Sequence, residues 1–111
     1  MKNIRRILFI LMASIAMPVF AGSQTGLVTN INVRDDGLHW FTLSGDRGVM
    51  PACTRDRFTY WMIKDESSTY GKSQFSMLLA AYMAQKTVTI IGTGSCTRWG
   101  DGEDIKVVQF K

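Results

Sequence analysis

Hydrophobic side chains follow helical spacing in one convincing stretch, which runs from Ser73 to Gln85. Apolar residues recur there at positions i, i+3, i+4 and i+7, so they lie along one face of a helix. These residues are Phe75, Leu78, Leu79 and Tyr82. Alanine and methionine at the intervening positions favour the helical state. We therefore predict one amphipathic helix, with Ser73 as its N-terminal cap and Leu78 and Leu79 at the centre of its buried face.

Strand-like patterns occupy most of the remaining chain, because polar and apolar residues alternate or β-branched residues cluster. We predict five strands, at residues 26–34, 38–43, 57–63, 87–92 and 105–110. A single helix between the third and fourth of five short strands is the order of an OB-fold, a small Greek-key barrel. We therefore predict one β-rich α+β domain of this class, in which the helix buries its apolar face against the sheet.

Alternation along the strands predicts which side chains share a face. In the first strand these are Leu27, Thr29, Ile31 and Val33. In the third strand Phe58, Tyr60 and Met62 share one face, and Thr59, Trp61 and Ile63 share the other. Aromatic side chains in a small barrel fill the core first, and we expect Trp40 and Tyr60 to do so. Trp61 would then point outward.

The first 21 residues have the pattern of a secretory signal peptide. Basic residues precede a short apolar run at 7–17, and Val19 and Ala21 are small residues at positions −3 and −1 of a cleavage site. The run is too short for a comfortable membrane span, and an N-terminal anchor is the alternative. We expect cleavage after Ala21, a periplasmic or secreted protein without a membrane span, and a single domain at residues 22–111.

Charge is nearly balanced once the signal peptide is removed. The chain has 13 Lys and Arg and 9 Asp and Glu, and three of the basic residues lie in the predicted signal peptide, which leaves ten. The sequence therefore lacks the basic residues for a large surface that binds nucleic acid or an acidic membrane. We expect no nucleic-acid partner.

The chain contains two cysteines, Cys53 and Cys96, and both follow the predicted cleavage site. An even pair in a small exported domain predicts a disulfide. A disulfide that closes the chain between Cys53 and Cys96 into a loop stabilises the fold by ~4 kcal/mol in the chain-entropy model. A metal site is the alternative, but two cysteines and one histidine, His39, are too few ligands at the wrong spacing. We therefore expect no metal and no cofactor.

Several short stretches resemble a family of secreted proteins. They are Phe75-Ser76-Met77-Leu78, Ala81-Tyr82, Val88-Thr89-Ile90 and a glycine that precedes Cys96. Together they resemble the helix-to-strand segment of the pentameric B subunits of subtilase-cytotoxin-type bacterial toxins, over about the second half of the mature chain. The segment 92–105 departs from that family and is more similar to small exported proteins of proteobacteria.

The resemblance implies the same strand order, and a disulfide between the region of the third strand and a later strand. It also implies a homo-oligomer, a pentamer if toxin-like, that binds a glycan and delivers a catalytic A subunit. The family's sugar-contacting serine near the first strand has no clear counterpart in this sequence. No glycan-binding residue is therefore carried over.

Catalytic motifs are incomplete, and we expect a protein that is not an enzyme. Gly71-Lys72-Ser73 lacks the earlier glycine of a phosphate-binding loop, because Glu66 holds that position. His39 has no nucleophile in an evident elbow beside it. Acidic residues in glycine-containing loops usually form turns. They are Asp35, Asp36, Asp101, Glu103 and Asp104. Calcium binding or hydrolysis is the alternative for these carboxylates.

An aromatic residue in a loop is the best candidate for ligand binding. Trp99 lies next to Arg98 and close to Asp101. An aromatic plane stacks on a sugar ring or packs into a partner, while Arg and Asp supply directional hydrogen bonds. We predict that Trp61, Arg98, Trp99 and Asp101 form a surface for a glycan or a protein partner.

Three alternatives stay open at this point. Trp99 could pack over the disulfide, because tryptophan is usually well buried. The function could be single-stranded nucleic-acid binding, which OB-folds perform with aromatic side chains and basic grooves. It could also be that of a small hydrolase that uses the acidic loop residues Asp101 and Glu103.

Overall fold

The structure is a computed structural model that describes residues 21–110, and the predicted signal segment at 1–20 lies outside the described residues. The described part contains six strands and one α-helix. In chain order they are β1 (Ser23–Gly26), β2 (Val28–Val33), β3 (His39–Leu43), β4 (Trp61–Met62), α1 (Thr69–Ala84), β5 (Val88–Gly92) and β6 (Glu103–Phe110). A short 3-10 turn, Ala52–Thr54, precedes β4. The predicted β-rich α+β class with one helix is confirmed.

The six strands form one mixed sheet with the order β1-β5-β6-β4-β3-β2. Neighbouring strands are antiparallel except for β4 and β6, which are parallel. β1 and β2 lie at opposite ends of this order, yet only Leu27 separates them along the chain. The sheet must therefore curl until its two edges approach each other. Gln24 in β1 accordingly donates a hydrogen bond of 2.7 Å to the carbonyl oxygen of Gly45, just beyond β3.

β1 is the strand that the sequence does not predict, so the structure has six strands rather than five. Its residues Ser-Gln-Thr-Gly have no apolar alternation. The strand forms because it pairs with β5, where the hydroxyl oxygens of Thr25 and Thr89 lie 2.9 Å apart. The residue that β1 buries is polar, namely Gln24, which satisfies its amide through hydrogen bonds.

A β-bulge in β2 changes which side chains face the core. The pairing of β2 with β3 shifts directly after Val28, so Thr29 is an extra residue on the β2 side. Val28 and Ile31 therefore both pack against the core although they are three residues apart. Leu27 and Val33 are exposed, so the alternation predicted for this strand is wrong.

The third predicted strand is reduced to the two residues of β4. The 3-10 turn ends in left-handed backbone at Arg55 and Asp56, with φ of 58° and 49°, which interrupts extended pairing before β4. β4 is nevertheless central, because it lies between β3 and β6 and both of its side chains are fully buried.

Helix α1 begins earlier than the sequence predicts and buries a different face. Its N-cap is Ser68, whose hydroxyl accepts a hydrogen bond of 3.0 Å from the backbone nitrogen of Gly71. Ser73 lies inside the helix, so its predicted role as the cap is wrong. The buried face consists of Gly71, Gln74, Leu78 and Ala81. Leu79 and Tyr82, which were expected in the core, are 39% and 43% exposed.

The core lies between α1 and the concave side of the sheet. Its buried members are Val28, Phe41, Leu43, Trp61, Ile63, Leu78, Ala81, Val88, Ile90, Ile105 and Val108. The predicted disulfide between Cys53 and Cys96 is confirmed. It joins the 3-10 turn before β4 to the connection between β5 and β6. This crosslink anchors the loop that carries Trp99.

Candidate ligand-binding groove

An open groove of about 240 Å³ lies on the outer side of the sheet, beneath the loop that joins β5 and β6. Its lining residues are Arg34, Leu38, Trp40, Tyr60, Met62 and Trp99. They come from three parts of the fold: the β2–β3 turn with β3, β4 with the segment that leads into it, and the β5–β6 loop. We call this feature the aromatic groove.

Strand register explains why Trp40 and Tyr60 line this groove. Phe41 and Trp61 are partners across β3 and β4, and both side chains are fully buried in the core. Because successive residues of a strand point to opposite faces, Trp40 and Tyr60 lie on the other side of the sheet. Both are half-buried, which leaves part of each ring open to solvent. Trp40 and Tyr60 were both expected in the core, and the structure places their neighbours Phe41 and Trp61 there instead.

A glycine lets the Trp99 loop approach the sheet closely. Trp99 forms an isolated bridge with Gly102. A Cβ atom at Gly102 would overlap the Tyr60 ring and lie 2.6 Å from Met62 Cγ. Any larger residue at this position would push the loop away from the groove. Trp99 is 41% exposed.

The positively charged side chain of Arg34 lies against the Trp99 ring. The guanidinium carbon of Arg34 is 4.8 Å from the ring centroid. Arg34 is oriented by Asp36, to which it donates two hydrogen bonds: Nε to Oδ1 at 2.9 Å and Nη2 to Oδ2 at 2.6 Å. This pairing holds the pKa of Asp36 far below its usual range and raises the pKa of Arg34. One wall of the groove is therefore the Trp99 ring beside the Arg34 guanidinium, whose charge is paired with Asp36 outside the lining.

Arg98 has a structural role that the sequence does not predict. Its guanidinium donates hydrogen bonds to Glu66, from Nε to Oε2 at 3.0 Å and from Nη2 to Oε1 at 2.8 Å. The hydrogen bond from Arg98 lowers the pKa of Glu66 and, reciprocally, raises that of Arg98. Arg98 therefore ties the β5–β6 loop to the segment before α1, and it does not line the aromatic groove.

The predicted site is brought together only in part. Trp61 is fully buried and donates a hydrogen bond of 2.8 Å from Nε1 to Gln24 Oε1, so its predicted place on an exposed surface is wrong. Asp101 is half-buried and does not line the groove. Of Trp61, Arg98, Trp99 and Asp101, Trp99 lines the aromatic groove.

Two carboxylates in the acidic loop are structural. Asp104 is fully buried and accepts hydrogen bonds from the backbone nitrogens of Thr97 at 2.8 Å and Arg98 at 3.2 Å. It thereby fixes the approach of the chain to Trp99. Glu103 is also fully buried and forms an ion pair with Arg47. Both carboxylates are therefore engaged inside the fold, Asp104 by backbone donors and Glu103 by Arg47.

His39 likewise has a packing role. Its Nδ1 lies 2.6 Å from the carbonyl oxygen of Gly37, and its ring packs edge-on against Phe75 with centroids 4.7 Å apart. Residues 21–110 contain no cluster of three or more His, Cys, Asp or Glu side chains that could hold a metal ion.

Comparison with protein-family models, with curated proteins and with solved structures finds no match to this chain. The resemblance to toxin B subunits therefore stays a prediction. No helix within the described range is long and apolar enough to cross a membrane.

Proposed function

We propose that this protein is an exported, non-catalytic binding module and that the aromatic groove holds a glycan. The observation that carries the proposal is the convergence of Trp40, Tyr60 and Trp99 with Arg34 at one open groove. Exposed aromatic rings stack on the apolar faces of sugar rings, and a few fixed polar groups supply orientation.

We further propose that the fold is an OB-fold-like barrel in which β1 and β2 together serve as the first strand. The closeness of the two sheet edges, the parallel pair β4–β6 and the position of α1 before β5 support this interpretation. In OB-folds, oligosaccharides and oligonucleotides bind across strands 2 and 3 and the loops 1–2 and 4–5. The corresponding elements here are β3, β4 and the loops 34–38 and 93–102, which supply the groove residues.

A sugar suits the groove better than a single-stranded nucleic acid. Nucleic-acid grooves combine stacking rings with a continuous track of positive charge. In this groove the charge of Arg34 is balanced by Asp36, which would repel phosphate. A neutral polyhydroxyl ligand meets no such repulsion and can accept hydrogen bonds from the Arg34 guanidinium.

A glycan array probed with the purified protein tests the class of ligand. Binding to a subset of glycans, with no salt-dependent binding to single-stranded DNA or RNA, is the expected result. Salt-dependent oligonucleotide binding in place of glycan binding would contradict the proposal. Binding of a protein but of no glycan would also contradict it and would indicate that the groove recognises a protein partner. An oligomer such as a pentamer is a separate proposal supported by the toxin resemblance, and the molar mass in solution tests it.

A further inference from the structure

A buried carboxylate gathers donors from three distant parts of the chain. Glu103, the first residue of β6, accepts a short hydrogen bond from Arg47 at its Oε1 atom. Its Oε2 atom accepts hydrogen bonds of 3.0 Å from the backbone nitrogens of Gly22 and Gly94. The Glu103 side chain is fully buried and that of Arg47 nearly so. The groove on the other face of the sheet does not use this cluster.

The nitrogen of Gly22 has a special position in the sequence. The pattern Val19-Phe20-Ala21 predicts cleavage directly before it, so this atom is the predicted N-terminus of the mature chain. In the uncleaved chain it is a neutral amide. After cleavage it is an α-amino group, which has an ordinary pKa of about 7.7–8.0 and is largely cationic at neutral pH.

We propose that cleavage after Ala21 converts this hydrogen bond into an ion pair between the α-ammonium of Gly22 and the carboxylate of Glu103. Cleavage would then add a positive charge beside Glu103, because the neutral backbone N–H of Gly22 becomes a charged ammonium donor. Hydrogen bonds with a charged donor and a charged acceptor are shorter and stronger than neutral ones.

Local geometry holds the Gly22 nitrogen against Glu103. The carbonyl oxygen of Gly22 accepts a hydrogen bond of 2.8 Å from the nitrogen of Gly92, so the residue is fixed to β5. A Cβ atom at Gly22 would lie 2.6 Å from both Glu103 Oε1 and the carbonyl oxygen of Val49. Glycine is therefore the residue that fits here, and an alanine would displace the nitrogen.

Two charged side chains lie beside Gly22. Glu103 from β6 accepts its backbone N–H, and Arg47 from the loop after β3 lies close to the Cα side of the residue. Two other contacts fix the Arg47 side chain. It donates a hydrogen bond of 3.1 Å to the carbonyl oxygen of Thr59, and its guanidinium carbon lies 3.6 Å from the centroid of the Trp61 ring. Burial lowers the pKa of Arg47, against the opposing effect of Glu103. Gly22 is buried and Ala21 before it is exposed, so cleavage opens the new ammonium to solvent on the side that Ala21 occupied.

For the test, the protein is expressed with its signal segment and the processed form is purified after export. Intact-mass analysis must give a chain that begins at Gly22. The α-amino group of glycine-labelled protein is then titrated by NMR and compared with a peptide of the sequence Gly-Ser-Gln-Thr-Gly. We expect the pKa of the amine to be about one unit higher in the protein than in the peptide. At pH 7 the fraction of uncharged amine would then be roughly tenfold smaller in the protein.

Two outcomes would overturn the proposal: an N-terminus other than Gly22, or an amine that titrates at or below the peptide's pKa. Glu103→Gln keeps the shape of the side chain and removes its charge, so it should return the amine to the peptide's pKa. Should this variant fail to fold, the titration of the wild-type protein still decides. A raised pKa adds stability that is complete below the unfolded pKa and is lost as the pH rises through the folded one.

Discussion

Replacing Leu78 by alanine tests the face of α1 that the structure assigns to the core. Leu78 is fully buried among core residues of the sheet, whereas its neighbour Leu79 is 39% exposed. Truncation at Leu78 removes three buried carbon atoms, worth about 0.8 kcal/mol each, and the remaining cavity adds to this loss. We expect a cost of about 3–4 kcal/mol for Leu78→Ala and about 1 kcal/mol or less for Leu79→Ala.

Urea unfolding of the disulfide-intact protein measures both costs against the same wild-type curve. Leu79→Ala is a matched control, because it has the same chemistry, the same helix and nearly the same helix propensity effect. In a domain of this size each kcal/mol corresponds to roughly 4–8 °C of melting temperature, so the two variants should differ by ten degrees or more. Equal shifts, or a larger shift for Leu79→Ala, would refute the assigned face.

Two further predictions concern the crosslink and the loop it supports. Alkylation of the exported protein without reductant should leave Cys53 and Cys96 unmodified in an intact-mass spectrum, and two alkylated cysteines would show that the disulfide is absent in solution. The lowered pKa of Glu66 predicts that the Glu66–Arg98 pair contributes stability above the unfolded pKa of about 4.3, and that this contribution is lost as the pH falls through the folded pKa. Glu66→Gln should therefore unfold more easily than the wild type at pH 7. The difference should shrink as the pH falls below the unfolded pKa, whereas a difference that grows in acid would contradict the pairing.

Local patterns predict the broad architecture because they reflect local physics. The helical spacing around Leu78 and the β-branched run at 88–91 predict a helix and a strand in the right order. The two cysteines after the predicted cleavage site predict the disulfide. These features depend on residues that are neighbours along the chain and on general chemistry, so a single sequence is enough to predict them.

The face of each element depends on tertiary contacts, and there the predictions fail. Tyr60 and Trp61 are both large and aromatic, so alternation alone cannot decide which one enters the core. The indole nitrogen of Trp61 finds an acceptor in Gln24, on a strand with no apolar pattern. Similarly, α1 buries Gln74 rather than Tyr82, because the Gln74 amide donates to the carbonyl oxygen of Lys106 in β6.

The aromatic groove was missed for the same reason. Arg34 and Trp40 are close in sequence, but their place beside Trp99 depends on the pairing of β3 with β4 and on the close approach of Gly102. One signal was available: if Trp61 is assigned to the core, alternation moves Tyr60 and Met62 to the opposite face. That assignment would have placed an aromatic ring on the surface next to Trp40.

A titration with a bound glycan tests whether the Trp99 ring contacts the ligand. A glycan selected on the array is titrated into wild-type protein, Trp99→Ala and Tyr82→Ala by calorimetry, with a thermal melt of each. Tyr82 is a matched control, because it is 43% exposed against 41% for Trp99 and lies on α1, outside the aromatic groove.

If Trp99 stacks on the glycan, Trp99→Ala should bind at least about thirtyfold more weakly, the effect of losing a contact worth 2 kcal/mol or more. Trp99→Ala should also melt within a few degrees of the wild type, and Tyr82→Ala should bind normally. Unchanged affinity in Trp99→Ala, together with a melting temperature lowered by many degrees, would show that Trp99 serves the fold and would contradict the proposed site.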